Sequence, residues 1–201
     1  MFSTSQSGFR PLQILLAETA KQTENLRMMQ KNKSSEADPF KGLVAGVAGG
    51  LLASLVMEQF QALWTKVSEK VQEAEGVKRR RSQAKPTTVK AADVISKRVL
   101  GHKLPKDKQK LAGEAVHYAM GTTSAAIYGT LAEFAPVVTV GEGLAFGTAV
   151  WLVADEASLP ALGLSKRPTK IPLSTHVYAF ASHLVYGAVA EAVRRTVRSV
   201  L

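Results

Sequence analysis

A chain of 201 residues is long enough for one ordinary domain with a sizeable core. It has no cysteine, which excludes disulfides, thiolate nucleophiles and cysteine-ligated zinc or iron–sulfur sites. A formal charge of +10 raises the question of nucleic acid, but residues 65–110 alone carry fourteen Lys or Arg against five Asp or Glu. Most of the excess therefore lies in one connecting segment, and a nucleic-acid partner is disfavoured.

Residues 1–40 form a polar, amphipathic amino-terminal segment. The stretch "RPLQILLAETAKQTENLRMMQ" fits a short amphipathic helix, followed by the polar run "KNKSSEADP". Its apolar part is only a few residues long and soon meets Lys and Glu, so no cleavable signal is expected. Residues 41–201 then read as one membrane helix bundle built on four apolar blocks: 42–64, 111–134, 137–154 and 173–193. Each is near the roughly 20 residues that a helix needs to cross a hydrocarbon core of about 30 Å. None has Lys or Arg in its interior, and Trp64 suits the boundary with water.

The first block, "GLVAGVAGGLLASLVMEQFQALW", places Gly42, Gly46 and Gly50 four residues apart, with Ser54 and Glu58 continuing the stripe. The third repeats the spacing with Gly143 and Gly147. In water an interior glycine costs about 1 kcal/mol relative to alanine. In lipid it lets backbones approach where packing, not the hydrophobic effect, drives association. Two such stripes favour lipid over water as the solvent. Between the first and second blocks, residues 65–110 form a long basic loop. Its stretch 76–90 reads as a flexible linker whose Lys78, Arg79, Arg80 and Arg81 face anionic lipid. Residues 91–100 fit a small surface helix with Val94, Ile95 and Val99 turned toward the membrane. The short, nearly uncharged turn around Pro136 suits an antiparallel hairpin between blocks two and three. Basic loops tend to stay cytoplasmic. The loops at 65–110 and 155–172 would then share the cytoplasmic side, against the pull of Arg194, Arg195 and Arg198 near the carboxy terminus.

The blocks carry polar side chains at helical spacing. Glu114, His117, Gly121, Ser124 and Tyr128 lie on one face of the second block, and His176, Phe180, His183, Gly187 and Glu191 on one face of the fourth. Glu58 comes from the first block and Asp155 from the end of the third. Turned inward, these stripes make His117, Glu114, Tyr128, His183, Glu191, Glu58 and Asp155 a candidate intramembrane polar site, because ionisable groups in lipid are costly and point to function. Histidine makes proton chemistry available. His176 and His183 lie seven apart, too far to share one ion as an i, i+4 pair would, so neither a metal nor another cofactor is expected. No Walker loop, GxGxxG, HExxH or GxSxG pattern occurs, and the chain is not expected to be an enzyme.

The segments "AGEAVHYAMGTTSAAIYG", "WLVADEASLPALGL" and "SHLVYGAVAEAVRRTVR" follow one another in an order that resembles the YagU-like family of bacterial inner-membrane proteins, and "GLVAGVAGG" resembles its opening segment. The likeness covers roughly residues 41–198, with His183, Glu191, Arg194 and Arg195 at matched positions. It implies a multi-pass protein of the bacterial inner membrane and assigns no biochemical role. The reading is thus an all-α, four-span bundle that handles a proton, an ion or a small polar solute through inward-facing His and carboxylate groups. The alternative is an adaptor that holds a second copy or a partner membrane protein on its glycine faces and anionic membrane lipid on its basic loop.

Overall fold

Asp38 starts the first long helix, α1 (Pro39–Ala74). Its Oδ1 accepts the N–H groups of Phe40 at 3.0 Å and Lys41 at 3.1 Å. Pro39, at the first helical position, has no N–H to leave unpaired. The computed structural model describes residues 18–19, 21–25, 37–74 and 85–201. The chain forms two units, Met1–Ala37 and Asp38–Leu201. In the first, residues 18–19 and 21–25 are helical and exposed. The expected lipid-facing cluster Lys78, Arg79, Arg80 and Arg81 lies outside the described residues, as does most of the amino-terminal segment.

The second unit is all-helical, with no strand among the described residues. After α1 come α2 (Thr87–Leu100), a 3-10 turn (Lys106–Lys108) and α3 (Gln109–Phe134). Pro136 follows closely and opens a second 3-10 turn, Pro136–Thr139. Next comes α4 (Leu144–Trp151), which runs on as a π-helical segment (Leu152–Ser158) and a last turn (Leu159–Ala161). Pro160 offers no N–H to the carbonyls before it, which loosens the regular ladder there. The final helix is α5 (Leu173–Val200).

Small residues bring α1, α3 and α5 together. A side-chain carbon added to Gly42 or Gly46 would collide with the α3 backbone at Gly129 or Ala125, and one at Gly50 with Thr122. Rising numbers on α1 meet falling numbers on α3, so the two are antiparallel. Gly49 meets Ala190 of α5 in the same way, while Gly143 and Gly147 meet Gly187 and His183. Between these seams sits a core of Ala53, Met57, Ala125, Tyr186 and Ala190, with Phe146 and Val150 against it. Large apolar side chains point outward instead: Leu51, Leu52 and Leu55 on α1, and Ile127 and Leu131 on α3, are all exposed.

Two expectations change in the structure. Residues 137–154 are not one continuous helix, because Gly141, Glu142 and Gly143 all take positive φ (78°, 55° and 84°) and delay α4 to Leu144. The long basic loop is shorter than expected, since α1 continues to Ala74 and α2 begins at Thr87. Val89, Ala92 and Ser96 are the buried face of α2, and Val94, Ile95 and Val99 remain exposed. Of the four expected spans, one described helix, α1, is long and apolar enough to cross a membrane by length and composition. The polar side chains of α3 and α5, and the break before α4, keep the other three below that level.

Candidate functional site

The antiparallel register gives the bundle two ends. One gathers the start of α1, the end of α3, the turn before α4 and the end of α5. The other gathers the end of the apolar part of α1, the start of α3, the π segment and the start of α5. The expected polar residues divide between them.

At the first end Glu191, 1 % exposed, accepts from Arg194 Nε at 2.7 Å, Arg194 Nη2 at 2.8 Å and Tyr128 Oη at 2.8 Å. Arg195 Nε donates to the same carboxylate and Arg195 Nη1 to Glu142. Tyr128 stacks on Phe146 with ring centroids 4.1 Å apart. One turn on, Arg198 makes a two-pronged contact with Glu133, at 2.8 and 3.1 Å, and the Asp38 N–H donates to Glu133 at 3.1 Å. Three carboxylates meet three guanidinium groups, and Glu191 has donors on both oxygens. The arrangement joins α1, α3 and α5. Tyr128 and Glu191 therefore belong to a saturated structural network, not to a group with capacity for a ligand.

The opposite end holds a cavity of about 780 Å³, to which α1, α2, α3, the α4–π segment and α5 all contribute. Five of the expected residues line it: Glu58, Glu114, His117, Asp155 and His183. Tyr118 Oη donates to Glu58 at 2.9 Å, and Lys110 Nζ stands 3.7 Å from Glu114. His183 is buried; its Nδ1 donates to the Ala179 carbonyl at 2.9 Å and lies 3.7 Å from Asp155 Oδ2. That carbonyl can only accept, so Nδ1 carries the proton. His117 packs edge-on against Tyr118, centroids 5.6 Å apart, and its buried Nε2 has no partner. Ser54, fully buried on the cavity wall, leaves its Oγ equally unpartnered. Val89 of α2 packs against Gly113 of α3, so α2 forms one wall.

Residues 94–192 match the family model described as "Protein of unknown function (DUF1440)". No curated protein and no solved structure matches. The DUF1440 region takes in α3, α4 and most of α5. It includes Glu114, His117, Asp155, His183 and Glu191 but leaves out α1 with Glu58, and Arg194 with its neighbours. The match is shorter than the stretch 41–198 of the expected resemblance, and its description does not name the YagU-like family.

Some contacts at these sites escaped sequence reasoning. The face drawn through Glu114, His117 and Gly121 passes beside Tyr118, although Tyr118 follows Glu114 by four and is the residue that reaches Glu58. His176, at the start of α5, binds Glu156 Oε1 through Nδ1 at 2.7 Å and the Pro168 carbonyl through Nε2 at 3.1 Å. Both ring nitrogens face acceptors, an arrangement that only the imidazolium satisfies in full. His176 thus ties the π segment, the following loop and α5 together. Among the described residues, no group of three or more His, Asp or Glu is arranged to hold a metal ion.

Proposed function

We propose that the chain is a multi-pass helix bundle of the bacterial inner membrane, akin to the YagU-like proteins, and that it binds and passes a small polar solute through the cavity beneath α2. The observation that carries this reading is the cavity itself, with acids and imidazoles from α1, α3, α4 and α5 turned inward while Leu51, Leu52, Leu55, Ile127 and Leu131 turn outward. A water-soluble bundle of this size buries its large apolar side chains and solvates its charges. Here small residues and a buried Glu191–Arg194 pair occupy the interior, which suits lipid outside. A volume of about 780 Å³ exceeds what a lone proton or ion requires and falls in the range of small-molecule sites, which favours a solute.

Four spans put the cavity end, with the basic loops, in the cytoplasm and both ends of α1–α5 on the other side. Single cysteines test this directly in a chain that has none of its own. After extraction-resistant membrane association is established with carbonate, Lys106→Cys should react with an impermeant maleimide only in opened cells, and Val137→Cys in intact ones. Release by carbonate defeats the membrane reading. Binding is read by thermal shift in detergent against a panel of small neutral, anionic, cationic and zwitterionic solutes. At least one should stabilise the protein, and Ala154→Trp, which fills the cavity wall, should remove the effect. A panel without a single hit argues against solute handling.

The adaptor reading keeps one supporting feature. An outward groove of about 380 Å³ between α1 and α3, lined by Leu43, Val47, Ile127 and Leu131, is open to an acyl chain or a partner helix. The glycine faces at Gly42, Gly46, Gly50, Gly143 and Gly147 are filled within the chain, so a partner would have to use that groove instead.

A further inference from the structure

We propose that the solute is a protonated organic amine with an apolar body; this rests on the cavity reading above and narrows it to one chemical class. Charge is the first reason. Glu58, Glu114 and Asp155 bring three carboxylates to the cavity from three different helical segments. Among the described residues, Glu58 is met by a phenol hydroxyl and by no cation. Asp155 faces His183, whose Nδ1 proton is already given to the Ala179 carbonyl. Of the three lysines on the cavity wall, Lys85 pairs with Asp93 at 3.2 Å, Lys106 is exposed, and Lys110 is 90 % exposed beside Glu114. Glu58 therefore has no cationic partner among the described residues and Asp155 has only the His183 ring, 3.7 Å away, where a poorly paired charge is expensive. An ammonium group supplies what is missing.

The second reason is that the polar atoms left over suit an ammonium. Among the described residues, neither the fully buried Ser54 Oγ nor the buried His117 Nε2 on the same cavity has a hydrogen-bond partner. Both can accept an N–H. The third is shape. The acids are spread over the walls and do not converge on a point, as an inorganic cation would need. Tyr118, Tyr178 and Tyr186 share the lining with Val150 and Leu159, which gives an organic body rings and aliphatic surface to lie against.

Three molecules of one skeleton separate the possibilities: phenethylamine, 2-phenylethanol and phenylacetate, titrated calorimetrically into the full chain in mild detergent at neutral pH. Phenethylamine should bind at least about tenfold more tightly than either of the others, the difference expected for one charged hydrogen-bonded contact. Glu58→Gln and Asp155→Asn should each lose about tenfold for the amine and leave the alcohol unchanged. Both are isosteric, and a retained helical spectrum and unfolding midpoint separate lost binding from lost folding. Glu142→Gln, at the other end of the bundle, should bind as the parent does. Equal or tighter binding of the alcohol or the acid overturns the amine while leaving a solute-binding cavity in place. No binding by any of the three also overturns it. The wider solute panel with Ala154→Trp then decides separately whether the cavity binds anything.

Discussion

Replacing Glu191 by alanine tests whether the buried ion network holds the bundle together. The carboxylate is 1 % exposed and takes four hydrogen bonds, from Tyr128, Arg194 twice and Arg195. Its loss strands Arg194, which is only 8 % exposed, without a counter-ion. Arg195 still has Glu142 and solvent, so it adds little to the cost. A buried charge deprived of its partner costs about 3–5 kcal/mol, a large share of the roughly 5–15 kcal/mol that a domain has to lose. Replacing both members, Glu191→Leu with Arg194→Leu, removes the stranded charge, while the Tyr128 hydroxyl loses its acceptor in both variants, so that cost cancels. The double variant should therefore be more stable than Glu191→Ala by about 3 kcal/mol. Unfolding of the purified protein in mild detergent, followed by circular dichroism and tryptophan emission, measures both. A loss below about 1 kcal/mol in the single variant, or a double variant no better than it, would refute the claim that this charge is shut away from water.

Three further changes probe neighbouring contacts. Tyr128→Phe keeps the stack on Phe146 and removes one bond to a carboxylate that both arginines still serve, so about 1.5 kcal/mol should be lost in the same unfolding measurement. Gly46→Leu drives a side chain into the Ala125 backbone and should cost about 3 kcal/mol or prevent folding, whereas Leu52→Ala on the outer face should change stability in detergent by less than about 0.5 kcal/mol. His176→Phe frees Glu156 and the Pro168 carbonyl, so amide exchange in residues 162–172 should speed up while the end around Glu191 keeps its protection.

Helical periodicity reports an angle around a helix and says nothing about height along it. That distinction accounts for what the sequence revealed of the site. Spacing puts His117 on a face with Glu114 and His183 on a face with Glu191, and the cavity brings Glu58, Glu114, His117, Asp155 and His183 together. Tyr128 lies on the same face about three turns, roughly 16 Å, beyond His117, and Glu191 about two turns, roughly 12 Å, beyond His183. They meet each other and Arg194 at the opposite end. Height is set by the register between helices, and register is fixed by contacts such as Gly46 on Ala125 and Gly147 on His183. The spacing of four marks which residues of α1 form a seam, but it does not name the partner residue on α3. The turn before α4 was more legible than its reading allowed. "GEG" at residues 141–143 offers two glycines for positive φ, and the chain uses both.

The same separation of angle from average explains why a hydropathy window scores α5 below α1. A window mean charges α5 for Ser182, His183, Glu191 and Arg194 as though each faced the solvent, yet all four are buried against α1, α3 or α4. Their polarity is met inside by Ala179, Tyr128 and one another, and by Tyr178, whose carbonyl accepts from Ser182. What the surroundings meet on that helix includes Leu173 and Val177, which are exposed. The relevant quantity for lipid is the polarity of the outward face, and on α1 and α3 that face is Leu43, Leu51, Leu55, Ile127 and Leu131. A bundle that buries Glu191 with Arg194 and displays Leu51, Leu55 and Ile127 has its pattern on these faces turned inward relative to a protein made for water. The physical case for a membrane rests on that inversion more than on the length of any one helix.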